Sequence, residues 1–195
     1  MAISLETIKI LRERTGVGVM DAKVALEASG GDIEAAVITL RKSGKKVAEK
    51  KQARETRDGT IGVYLHSNKK IVGVVALACE TDFVSRTEDF QNLAHDLAMH
   101  VAAANPEYLN EVDIPEEVKA KETEIIRSQP EFSEKPAAML EKIIEGKLQK
   151  FYAEVCLLNQ AFIKDESLTV NDVITEKIAK LGEKIEVKKI ARLSF

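Results

Sequence analysis

The sequence predicts an α+β fold: a bundle of three short helices, then a core in which a three-stranded antiparallel sheet packs with helices. Three observations predict it. Residues 4–44 carry apolar positions three and four apart, punctuated by Gly16-Val17-Gly18, Ser29-Gly30-Gly31 and Ser43-Gly44. From Gly59 the spacing changes to alternation, with Ile61, Val63 and Leu65 followed by the apolar run Ile71–Ala78. After a long helical stretch, Ile185–Leu193 alternates again, which supplies a third strand for that hairpin.

Ser4 is placed to cap a first helix bearing Leu5, Ile8 and Leu11, with Ile3 as a staple against Ile8 and Glu6 near the positive end of the helix dipole. A second helix runs from about Val19 to Ala28. Asp32 caps a third, with Ile33, Ala36, Val37 and Leu40 on one face and Ser43-Gly44 at its end. Residues 45–57, "KKVAEKKQARETR", are strong helix formers with scarcely an apolar stripe, and they read as a basic, solvated helical linker. The domain reading is therefore 1–44 helical, 45–57 linker and 58–195 α+β core.

In the core, Ser67-Asn68 offers a hairpin turn. The second strand is apolar on both faces and so central, while the first puts polar Tyr64 and His66 opposite its apolar row. Ser85 with Glu88, or Thr87 alone, caps a helix with Phe90, Leu93, Ala94, Leu97, Ala98, Val101 and Ala102 on one face. Asn105-Pro106 closes it. Helices follow at 115–127 and about 134–150, then the buried-type run "FYAEVCLLNQAFI", a helix over "TVNDVITEKIAKLG" capped by Thr169, and the closing strand.

The 195 residues carry a formal charge of -3. Residues 1–57 hold 12 Lys+Arg against 8 Asp+Glu (+4), and 58–195 hold the remaining 17 against 24 (-7), a split that suits two units with different surfaces. Cys79 and Cys156 form no CxxC or Cys/His spacing and no disulfide framework, which fits a reducing compartment. No apolar run reaches the roughly 20 residues of a membrane span, and the first residues lack the regions of a signal peptide. The expectation is a cytoplasmic, globular protein without a membrane partner.

Enzyme motifs are missing. Ser43-Gly44-Lys45-Lys46 has Thr39 where a phosphate-binding loop needs glycine, and no strand precedes Gly16-Val17-Gly18. His95 and His100 are five residues apart on one helix, so they point to different sides and do not form a chelating pair. Cys79 ends a buried-type strand with no adjacent His, and Glu116-Glu117 suits the first turn of a helix. The basic linker lacks the aromatics and recognition helix of a nucleic-acid reader, so no direct nucleic-acid binding and no cofactor are expected. What remains is surface. Val17, Val19 or Met20 either face solvent at the Gly16–Met20 turn or complete the small bundle core. Phe83, in "ACETDFVSRTEDF", either projects from a strand end or folds back over the hairpin.

The segments "LRERTGVGVMDAKVAL" (11–26), "GDIEAAVITLRKSG" (31–44), "ETDFVSRTEDF" (80–90) and "LGEKIEVKKIARL" (181–193) together resemble elongation factor Ts, the bacterial and organellar guanine-nucleotide exchange factor family for elongation factor Tu. The resemblance implies a ubiquitin-associated-like fold for the N-terminal helices. It also implies that Thr81, Asp82, Phe83 and Val84 form the tip that presses toward the magnesium and phosphate site of elongation factor Tu, with Phe83 as a wedge, and that the factor does no bond chemistry. Arg12, Val19, Met20 and Lys23 take a secondary contact by the same match. Longer members duplicate the core and add a coiled coil, and this chain resembles the short form. A half-core of that kind would complete itself as a homodimer, for which Phe151, Leu157, Leu158 and Phe162 are candidate surface residues; an intramolecular core is the alternative reading for these four.

Overall fold

A computed structural model describes residues 3–132 and 136–195. Two compact units emerge: Met1–Gly62 with Ala76–Ala94 and Asp172–Lys188, and Val63–Val75 with His95–Asn171 and Lys189–Phe195. The fold is mixed helix and sheet, as expected. N-terminal helices are followed by a three-stranded sheet and further helices.

In the first unit, α1 (Leu5–Thr15), α2 (Val19–Ala28) and α3 (Ile33–Lys51) bury Ile8, Leu11, Ala22, Ala25, Leu26, Ala36 and Val37 together, with Ile3, Val17, Ile33 and Leu40 packed against them. The caps are the expected ones. Ser4 Oγ accepts from Thr7 N at 3.0 Å and Asp32 Oδ1 from Ala35 N at 3.0 Å. Gly16, Gly30 and Gly31 hold the positive φ values of 70, 62 and 91° that stop α1 and α2.

One boundary differs. The third helix does not end at Ser43-Gly44 but continues to Lys51, so residues 45–51 are helical and largely exposed, as expected, but continuous with α3. The reason is tertiary: a Cβ on Gly44 would lie 3.4 Å from the Cβ of Ala179 on α8 (Val170–Leu181), and this close approach carries the helix past its glycine. Lys45 pairs with Asp172 at 3.0 Å, and Lys51 Nζ donates to the Gly182 carbonyl at 2.5 Å.

The sheet has the order β1 (Asp58–Leu65), β2 (Ile71–Cys79), β5 (Ile185–Ser194). β1 and β2 form the expected hairpin, His66 N donating to Ile71 O at 2.9 Å, and the apolar β2 is central. The facing of β1 is reversed. Ile61, Val63 and Leu65 are 60, 51 and 57% exposed, and the opposite face, with Gly62 and Tyr64, turns toward α5 (Glu88–Ala104). A Cβ on Gly62 would meet the Ala94 carbonyl at 2.1 Å, and one on Gly73 the Ala98 carbonyl at 2.1 Å, so backbone rides directly on helix there. No branched side chain fits so close a contact.

All seven residues expected on the inner face of α5 are buried. Thr87 alone caps this helix, its Oγ1 accepting from Phe90 N at 3.3 Å, while Ser85 belongs to the preceding turn. The second unit continues with α6 (Glu116–Arg127), α7 (Ala137–Val155), the short pair β3 (Ala161–Phe162) and β4 (Asp165–Thr169), and the strand end of β5. The expected start of α7 near 134 lies outside the described residues, and α7 runs on to Val155. Leu157 and Phe162 are buried, which corrects their candidacy for a dimer surface; Phe151 and Leu158 are half-buried. None of the described helices is long and apolar enough to cross a membrane.

Candidate partner-binding site

β2 ends in a tethered turn. Cys79 is fully buried, its thiol donates to the Thr81 carbonyl at 3.2 Å, and burial, followed by the charge of Glu183, pushes its pKa up to about 11. It is a structural thiol. Thr81 is extended (φ -134°, ψ 159°) and opens the one-turn helix α4 (Asp82–Ser85). Ser85 Oγ donates to Asp82 O at 3.1 Å, Thr87 Oγ1 to Val84 O at 2.8 Å and Gln91 Nε2 to Ser85 O at 2.6 Å, so side chains of the turn itself, of the following cap and of α5 satisfy the carbonyls of the turn.

Successive residues of a helical turn point about 100° apart, and here that angle separates anchor from projection. Val84 and Ser85 are buried, whereas Phe83 is 82% exposed. Asp82 is half-buried and pairs with Arg86 at 3.1 Å. The structure thus decides against a Phe83 folded back over the hairpin. The ring packs against little of its own chain and is left in water on a turn with satisfied backbone.

The base of the turn is held by two glutamates that the sequence reading missed. Glu183 Oε2 accepts from Glu80 N at 3.1 Å and Thr81 N at 3.0 Å, and its Oε1 accepts from Thr81 Oγ1 at 2.7 Å. Glu80 returns the contact, Oε1 accepting from Lys184 N at 2.7 Å while Arg54 pairs with the same carboxylate at 3.2 Å. The Lys184 amide, and then Arg54, hold the Glu80 carboxyl below its usual range. A readable signal was Gly182 followed by Glu183: the glycine (φ 74°) ends α8 and turns the next residue toward β2.

The second expected set is also at the surface. Val19 is 48% and Met20 68% exposed, so Val17 alone of the three apolar residues near that turn packs on the bundle core. Arg12 and Lys23 are exposed; Arg12 Nε donates to the Val17 carbonyl at 3.4 Å and Lys23 lies 3.8 Å from Glu27. Val19, Met20 and Lys23 share α2, while Arg12 comes from α1.

Catalytic constellations do not appear among the described residues. No group of three His, Cys, Asp or Glu is placed to hold a metal ion. His95 is exposed, and His100 is buried in a satisfied network, its Nδ1 accepting from Ile163 N at 3.2 Å and its Nε2 meeting Gln160 Oε1 at 2.9 Å.

Comparison with known proteins gives the geometry its family. The family model described as elongation factor TS matches residues 20–194. The chain belongs to the elongation factor Ts family. It is similar to elongation factor Ts of Herpetosiphon aurantiacus, 49% identical over 192 residues that cover 98% of this chain and 97% of that one. Elongation factor Ts of Pseudothermotoga lettingae is 51% identical over 193 residues (99% and 98%), and that of Moorella thermoacetica 51% over 190 (97% and 94%). These elongation factor Ts chains are matched nearly end to end, so the four-residue tip and α2 both sit within the shared length.

Proposed function

We propose that this member of the elongation factor Ts family is a guanine-nucleotide exchange factor in translation elongation, binding elongation factor Tu and promoting GDP release by inserting the tip Thr81-Asp82-Phe83-Val84 near its magnesium and phosphate site. The carrying observation is Phe83, 82% exposed on a turn whose neighbours Val84 and Ser85 are buried. Arg12, Val19, Met20 and Lys23 provide a second contact. No cofactor and no bond chemistry are involved.

Exchange is a linkage effect. Whatever factor the protein takes from GDP affinity, GDP takes from the affinity of the protein. Acceleration by about four decades requires about 6 kcal/mol of differential interaction, and burying one Phe side chain contributes roughly 1.5 to 3 kcal/mol. Phe83 therefore focuses binding energy gathered over a wider interface. Asp82, held by Arg86 in the free protein, orients the tip and disfavours the anion and metal arrangement beside it.

The test is stopped-flow release of fluorescent GDP from elongation factor Tu. Wild-type protein should accelerate release, and Phe83→Ala should still bind elongation factor Tu while releasing GDP at least about ten-fold more slowly, the loss expected when an aromatic anchor of about 1.4 kcal/mol or more is removed. Wild-type rates from Phe83→Ala would remove the wedge. No acceleration at all, with salt-dependent RNA binding instead, would replace exchange by an adaptor role.

The proposed second partner is another copy of the chain. The support is the exposed apolar row Ile61, Val63 and Leu65 along β1, an edge strand of the sheet. An uncharged apolar face is complementary to itself, as a two-fold interface requires.

A further inference from the structure

We propose that Glu183 is a positioning residue for the exchange tip, setting from the α8–β5 turn the direction in which Phe83 projects; the proposal rests on the exchange reading above. A single helical turn has almost no stability of its own, because nucleation fixes several residues for one hydrogen bond. The direction of α4, four residues long, is therefore decided by what holds its N-cap residue.

That residue is Thr81, and its hydroxyl does something unusual for an N-cap. It makes no capping bond to α4. Instead it donates to Glu183 Oε1 at 2.7 Å, while its own amide and that of the preceding residue, Thr81 N and Glu80 N, donate to Glu183 Oε2 at 3.0 and 3.1 Å. Local capping has been given up for a tertiary tether. Bonds to a carboxylate are roughly twice as strong as neutral ones, and three converge on one side chain.

The tether is reciprocal, which removes its slack. Lys184 N, the amide next to Glu183, donates to Glu80 Oε1 at 2.7 Å, and Arg54 closes the outer side of that carboxylate. Each glutamate thus binds the backbone that carries the other. Gly182 is needed for its conformation and not for space: its φ is 74°, and an added Cβ would meet nothing within 4 Å. Both carboxylate oxygens of Glu183 are engaged by this turn. Its effect reaches the reaction only through Thr81 and Phe83, because a wedge delivers binding energy only when its base holds it in the productive direction.

The experiment compares wild type, Glu183→Gln, Thr81→Val, Phe83→Ala and the double variant Glu183→Gln/Phe83→Ala over a concentration range in the GDP-release assay. It also measures amide hydrogen exchange at Glu80 and Thr81. Glu183→Gln replaces one acceptor by an NH2 that faces donors, so the maximal release rate should fall about ten-fold, the scale of a lost charge-assisted hydrogen bond. The half-saturating concentration should stay within about two-fold, the signature of a step-specific loss. The double variant should be no slower than Phe83→Ala, because the two act as one unit. The Glu80 and Thr81 amides should exchange faster than in wild type. Should Glu183→Gln fail to fold, Thr81→Val carries the same rate test, with a smaller fall expected. A wild-type maximal rate in the folded variant, fully additive losses in the double variant, or unchanged amide protection would each overturn the proposal. Failure of the wild type to accelerate GDP release overturns the exchange reading itself, a result distinct from acceleration that Glu183→Gln leaves intact.

Discussion

His100 shows how a single residue converts burial into pH dependence. It is 1% exposed and accepts a backbone N–H from Ile163 at Nδ1, which leaves the proton on Nε2 facing Gln160 Oε1. Burial, only partly offset by the Gln160 bond, lowers its pKa from the ordinary 6.5. A neutral native His takes up its proton more readily in the unfolded chain, so its stability contribution is full above the unfolded pKa and is lost as pH falls below it. The carboxylates held down by partners, among them Glu80 and Asp89, start from 4.5 and 3.8 and lose their contribution only at lower pH. The melting temperature should therefore fall as pH drops from about 6.5 toward the carboxylate range. In His100→Asn the melting temperature should be lower throughout but flat across that window. Thermal unfolding followed by circular dichroism at a series of pH values reads this directly, and an unchanged slope in the variant would assign the effect elsewhere.

At the level of elements, two glycines that look alike in the sequence have opposite consequences. Gly44 sits inside α3 with 3.4 Å of clearance to the Cβ of Ala179, an ordinary van der Waals distance, so Gly44→Ala should stabilise by up to about 1 kcal/mol through helix propensity. Gly62 has a carbonyl oxygen 2.1 Å from where a Cβ would stand, so Gly62→Ala must push β1 off α5 and should cost about 3 kcal/mol or more. Urea unfolding of both variants measures the two shifts, and the prediction fails if they share a sign. The same glycines mark what the sequence could and could not disclose. Capping at Ser4 and Asp32 and the inner face of α5 were legible because they follow from local chemistry and helical period, whereas the projection of Phe83 and the choice of Thr87 as cap were each one of two readings that local chemistry allowed. Alternation at Ile61, Val63 and Leu65 showed a strand but not which face was buried, since that depends on Gly62 meeting Ala94 across 32 residues of chain. For the same reason the buried-type run left open whether Leu157 and Phe162 were core or surface, and the Glu80–Glu183 tether escaped. Their partners are distant in sequence, and nothing nearby announces them.

For the molecule as a whole, the open face of β1 asks what covers it. An edge strand with 51 to 60% of Ile61, Val63 and Leu65 in water is the arrangement that soluble chains usually blunt with charge. A second copy would cover it without new chemistry, and a stable pair would need to bury on the order of 1,600 Å² in total. Dimerisation makes apparent stability depend on protein concentration, because the pair binds the native state and not the unfolded one. Sedimentation equilibrium of wild type should therefore give twice the chain mass at micromolar concentration, with a melting temperature that rises with concentration. Val63→Lys places a charge on an already exposed position, so in the separated chain it should change stability by no more than about 0.5 kcal/mol. In the pair it puts two like charges into an apolar contact, and the variant should sediment at the mass of one chain with a concentration-independent melting temperature. A wild type that sediments as one chain at every concentration would leave the β1 face for a different partner. Equal masses for wild type and Val63→Lys, both at twice the chain mass, would move the interface away from β1.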